Sequence, residues 1–196
     1  MEEMRKMREK TLCLLLADQG FGVSLSHDVL QNAILNHYDL GGCIMIYKPD
    51  KVSKMKGADI IAEYMMKEKI PYMIGYAGHG AIGMLDSFFN KQDDIKIVWP
   101  RIETACGFMA DAYFRVTKQP LPVYVSTGPG PALSTCAVAN AFYDSSAFLQ
   151  FTGQAPLSQF DTGALQEQYR YHQADFSTAI QPYVKQSYQA VTAGQL

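Results

Sequence analysis

From Met55 onward the chain repeats one pattern: a segment with helical spacing of apolar residues, a short run of almost unbroken apolar residues, and a turn that carries glycine. GADIIAEYMMKEK, Gly57 to Lys69, places Ile60, Ile61, Tyr64 and Met65 at helical spacing and ends in a lysine-rich turn suited to a helix C-terminus. PYMIGYAG then reads as a buried strand, AIGMLDSFF as a helix and IKIVW as a second strand. Pro100 closes that strand and permits a helix over Arg101 to about Lys118, because its fixed φ suits a first turn. VYVST, a helix within GPGPALSTCAVANAFYDS, the strand SAFLQFTG and a last strand in AIQPYVKQSYQAV continue the rhythm. Strands without polar alternation, separated by helices, call for a sheet covered on both faces. The expected fold is α/β, a three-layer open parallel sheet with helices on both faces.

Residues 1–53 stand outside this rhythm and are read as an N-terminal extension of unclear role, with 54–196 as the domain proper. Within the extension, Ser24 to Leu40 has the spacing of a helix with Ser26 as N-cap, and LCLLLA, Leu12 to Ala17, is far too short to span a membrane. At 196 residues with 48% hydrophobic composition the chain has material for one core. A net charge of −2 with scattered Lys and Arg gives no basic surface for nucleic acid or anionic lipid. Cys13, Cys43, Cys106 and Cys136 form no C-x-x-C pair and read as reduced, mostly buried thiols of a cytoplasmic protein.

In an open parallel sheet a ligand lies beyond the carboxyl ends of the strands. Four such ends carry notable residues: Gly78-His79-Gly80 after PYMIGYA, Glu103 after IKIVW, Gly128-Pro129-Gly130 after VYVST, and Thr152-Gly153-Gln154 after SAFLQF. Any one glycine is explained by a tight turn, but four aligned ends point to a binding edge. GPG lacks G-x-x-x-x-G-K-[ST], no G-x-G-x-x-G follows a strand, and Ser126 does not lie in G-x-S-x-G, which removes two nucleotide-binding modes and a serine hydrolase. Glu103 has an ordinary explanation too, as an acid meeting a helix dipole. His79 is either an acid or base facing a substrate or a loop side chain bonded to backbone, and His172 reads as structural.

The ordered set GYAGHG, RIETACGFMADAYFR, VSTGPGP, AFYDS, TGQAP and LQE resembles the N-terminal pyrimidine-binding domain of thiamine diphosphate-dependent enzymes, in the branch of the acetolactate synthase large subunit. The likeness runs from about Lys54 to Gln189. It implies that Glu103 is the catalytic acid that hydrogen-bonds N1′ of the aminopyrimidine and so promotes proton loss from C2 of the thiazolium. It also implies cofactor binding by Thr127, Gly128, Gly130, Gly78 and Gln154, with His79 and Gln166 near the substrate. Ile102 stands where the family usually has His, Leu165 where it has Phe, and Ala112-Tyr113-Phe114-Arg115 where it has Gly-Tyr-Ala-Arg.

The family holds the diphosphate and its magnesium ion with a second domain, through a Gly-Asp-Gly that this chain does not contain, so no metal-binding residue is expected here. The resemblance therefore implies a diphosphate-binding partner domain or subunit, in a homo- or hetero-oligomer, and a lyase or transferase acting on a 2-oxo acid. The stop at VTAGQL, before the family's last helix and strand, suggests a domain truncated at its C-terminus or the pyrimidine-side subunit of a split enzyme. Alternatives are a non-catalytic or regulatory module that kept the fold, and a flavodoxin-like domain similar by chance. The small residues Ala105, Cys106, Gly107 and Ala110 are expected to admit a partner subunit, with an apolar contact around Cys106, Met109 and Phe114.

Overall fold

Alternation of side chains along the central strands builds the layers. The structure, a computed structural model, describes residues 12–17, 56–89, 91–167 and 175–190; the expected helix at 24–40 and His172 lie outside them. Six strands, β1 (Leu12–Ala17), β2 (Tyr72–Gly75), β3 (Lys96–Val98), β4 (Pro122–Val125), β5 (Leu149–Gln154) and β6 (Gln186–Ala190), form one sheet in the order β3-β2-β4-β5-β1-β6. Every pairing is parallel. The helices are α1 (Gly57–Lys67), α2 (Ile82–Phe89), α3 (Glu103–Thr117), α4 (Pro129–Tyr143) and α5 (Phe176–Ile180).

Successive residues of a strand point to opposite faces, so Ile74, Val123 and Val125 join Cys106, Ala110, Val138, Ala141 and Phe148 in one core cluster under α3 and α4. Met73, Tyr124 and Phe151 face the other way and join Ile61, Met65, Met84 and Phe88 from α1 and α2. Two cores on two faces make the three-layer α/β arrangement expected from the apolar strands. Helices α1 to α4 fall where expected, with the third beginning at Glu103 rather than Arg101, whereas the short α5 was not expected.

The sheet takes in Leu12–Ala17, which the sequence reading assigned to the extension before residue 54. β1 lies between β5 and β6, with Ala17 in register with Gln154. A six-residue apolar run is long enough for a parallel strand, but alone it has no neighbouring rhythm that would reveal it.

The small residues of α3 serve contacts within the chain. Gly107 is buried, and a Cβ there would lie 2.5 Å from Ala137 Cβ of α4 and 3.4 Å from Phe148 Cζ. The two helices therefore pack closely through Gly107 and Ala137. Cys106 and Phe114 are core residues and Met109 is exposed, so the three do not form the expected outer contact. At the far end of the pair, buried Asp111 accepts hydrogen bonds from Arg115 Nε (3.1 Å) and Asn140 Nδ2 (2.9 Å), and Arg115 also bonds Asp144. Asp111, followed by Asp144, pushes the Arg115 pKa up and keeps it charged.

Candidate functional site

The loops after β2, β4 and β5 converge because their strands are neighbours in the sheet. Ser126 leads out of β4, is buried, and its Oγ accepts the Gly80 N–H at 3.3 Å. A side chain at Gly78 would run into Ser126, one at Gly80 into Thr127, and one at Gly153 into the Gly80 carbonyl. Gly78 is itself extended, so its glycine answers to close approach and not to backbone strain. The three loops are thus in close contact at Gly78, Gly80 and Gly153.

Gly128 caps α4 with φ 62° and ψ −111°, a conformation that favours glycine, and Pro129 takes the first helical position. Gln166 covers Gly128, and Thr127 Oγ1 donates to Gln166 Oε1 at 2.9 Å. Thr127 is buried while Gln166 is exposed.

Glu103 is the first residue of α3 and half-buried. A Cβ built on Gly130 would lie 3.5 Å from Glu103 Oε1 and 3.8 Å from Ser126 Cβ, so the carboxylate faces the glycine turn at the start of α4 beside Ser126. Thr104 Oγ1 donates to the Leu133 carbonyl at 2.7 Å and ties the first turn of α3 to α4. Among the described residues no hydrogen bond or ion pair engages the Glu103 carboxylate. Its charge is felt by Cys106 one turn on. Burial, then the Glu103 carboxylate, push that thiol up to about 12, while Cys136 is exposed, so of these two one lies in the core and one at the surface.

A cavity of about 270 Å³ is lined by His79, Gly80, Gln154, Ala155, Pro156, Gln159 and Leu165. Gln154 is buried, and its Oε1 accepts the Ala155 N–H at 2.8 Å, which turns the side chain back along its own strand end. The sequence-predicted residues therefore fall into two adjoining groups. His79 and Gln154 line the cavity, while Glu103 and Gly130 meet on the α3 and α4 side. Ser126 lies between them, in contact distance of both Gly78 and Gly130. Sequence reasoning weighed Ser126 only against a hydrolase pattern; its place at the very end of β4 was the available signal. Pro156 was noted only as the end of the TGQAP motif, and Gln159 went unremarked because the segment after that motif carries no pattern.

The carboxylate group fits an aminopyrimidine: an unpaired acceptor on one side and, opposite it, a position kept free of side chain. Among the described residues, no group of three His, Cys, Asp or Glu is arranged to hold a metal ion, and no helix is long and apolar enough to cross a membrane.

Comparison with known proteins gives the family. The family described as "Thiamine pyrophosphate enzyme, N-terminal TPP binding domain" matches residues 55–175. The mitochondrial acetolactate synthase catalytic subunit of Saccharomyces cerevisiae is 34% identical over 113 residues, covering 58% of this chain and 16% of that protein. The mitochondrial acetolactate synthase of Schizosaccharomyces pombe is 32% identical over 111 residues, 57% of this chain and 16% of that protein. Acetolactate synthase 3, chloroplastic, of Brassica napus is 31% identical over 121 residues, 62% of this chain and 18% of that protein. The chain thus spans less than a fifth of the length of these relatives. With the matched segment running from before α1 through the Glu103 helix, the glycine turn and the cavity loops, the chain belongs to the thiamine pyrophosphate enzymes, as their N-terminal TPP binding domain.

Proposed function

We propose that this chain is the pyrimidine-side half of a thiamine diphosphate-dependent enzyme that joins or decarboxylates 2-oxo acids in the manner of an acetolactate synthase. The observation that carries the reading is the half-buried Glu103 carboxylate, unpaired among the described residues and facing Gly130. When bound, the cofactor supplies a carbanion equivalent at the thiazolium C2. Glu103 holds a proton at the pyrimidine N1′, and Gly130 keeps the space in front of the carboxylate open. Thr127, Gly128, Gly78 and Gln154 build the adjoining walls, held by the close fit of Gly78 on Ser126 and of Gly80 on Thr127. His79 lines a cavity of about 270 Å³ that suits a small acid substrate, and Gln166, next to the cavity residue Leu165, lies near it.

The diphosphate and magnesium belong to a partner domain or subunit, and the working enzyme is an oligomer, at least a dimer, acting as a lyase or transferase. The proposed compartment is the cytoplasm, although the named relatives are mitochondrial and chloroplastic. The domain proper is taken as 54–196 with β1 added to its sheet from the preceding segment.

Trp99, the one tryptophan, is half exposed and four residues before Glu103, so its fluorescence reports binding. Titrating thiamine diphosphate and magnesium into the chain mixed with a diphosphate-binding domain should give saturable quenching. No saturable response in the mixture would overturn the proposal.

A further inference from the structure

We propose that residues 157–167 form a strap over the ligand cavity, latched by the hydrogen bond between Gln166 and Thr127, and that releasing this latch opens the cavity. Gln159 and Leu165 of the strap make one wall, while His79, Gly80 and Gln154 to Pro156 from the strand ends make the other. Separating the two walls therefore opens the cavity itself.

The strap is stitched internally. Glu167 accepts the N–H groups of Asp161 and, at 3.1 Å, Gly163, and Thr162 Oγ1 donates to the Gln159 carbonyl at 2.6 Å. These bonds let it move as a unit. Its connection to the strand ends includes Gln166, whose side chain lies across Gly128 and accepts the buried Thr127 hydroxyl at 2.9 Å.

Two observations indicate a device built to open. Gln166 holds φ 58°, a left-handed conformation unfavourable for a residue with a side chain, and Asp161 shares it at φ 61°. Leu165, beside the latch and at the cavity, leaves 74% of its surface exposed with the latch made, apolar area that a ligand in the cavity would cover. The latch does not depend on Glu103 or on which ligand enters, so its failure and that of the functional reading are separable.

The test is hydrogen–deuterium exchange by mass spectrometry on the chain without ligand. Gln166→Ala keeps the strained backbone and removes the amide, and Thr127→Val removes the hydroxyl from the other side. Each should raise exchange across 157–167 by about tenfold, the effect of one lost hydrogen bond, with β4 and α4 still protected. The double variant should exchange no faster than either single one, and Thr127→Ser should behave as the parent. Unchanged exchange in Gln166→Ala, whose exposed position makes misfolding no explanation, would overturn the proposal. So would single effects that multiply in the double variant.

Discussion

At the scale of single residues, Glu103 and Cys106 share one turn of α3 but have opposite surroundings. The carboxylate looks out at the glycine turn, whereas the thiol is fully buried, and burial with the Glu103 charge pushes it up to about 12 from the ordinary 9.0. A thiol in this state is inert, because the thiolate is the nucleophile. Iodoacetamide at pH 8 should therefore alkylate Cys136 in the native protein and reach Cys106 only after unfolding, as peptide mapping would register. The same shift has a sign in pH. The folded pKa is raised above the unfolded one, so stability is intact below about pH 9 and declines as pH rises from 9 towards 12, where only the unfolded chain ionises. Cys106→Ala should flatten that decline in urea titrations between pH 9 and 10. An equal slope in both proteins would mean that other groups carry it.

At the scale of elements, the pair α3 and α4 sets where Glu103 meets Gly130. Replacing a helical glycine by alanine ordinarily stabilises by about 0.5 to 1 kcal/mol through propensity. At Gly107 the added methyl would stand 2.5 Å from Ala137 Cβ, and neither Cβ can rotate away, so overpacking of about 1–3 kcal/mol wins. Gly107→Ala should lower stability by about 1 kcal/mol in urea unfolding, and Ala137→Gly should recover most of that loss. Independent, additive losses would show that the two residues do not set the helix spacing. Small residues in a helix were legible from the sequence as a close approach, but not the identity of the surface that approaches. That surface is α4, 30 residues along the chain from Gly107 to Ala137, and periodicity carries no such pairing. In the same way, Gln166 and Thr127 stood out separately, yet their bond depends on a left-handed φ that nothing in a glutamine announces.

At the scale of the whole molecule, the α/β architecture was readable because buried parallel strands are written as apolar runs, and the binding edge because strand ends are positions in the sequence. β1 was not, since LCLLLA is separated from the repeating pattern by nearly forty residues and its place beside β5 is a long-range pairing. On the proposed reading the chain supplies one wall of a cofactor site, and among the described residues no cluster is arranged to hold a metal ion. The chain alone should accordingly gain no magnesium-dependent thermal stabilisation from thiamine diphosphate. A shift that requires both would assign the diphosphate side to this chain as well. The proposed chemistry rests on one carboxylate, and its role is read from the rate of deuterium exchange at C2 of thiamine diphosphate bound to the chain assembled with its diphosphate-binding domain. Glu103→Gln, with the fold retained by circular dichroism, should slow that exchange by a factor of about 10² or more, the usual weight of a positioned acid. Exchange at the parent rate in Glu103→Gln would contradict the role assigned to Glu103.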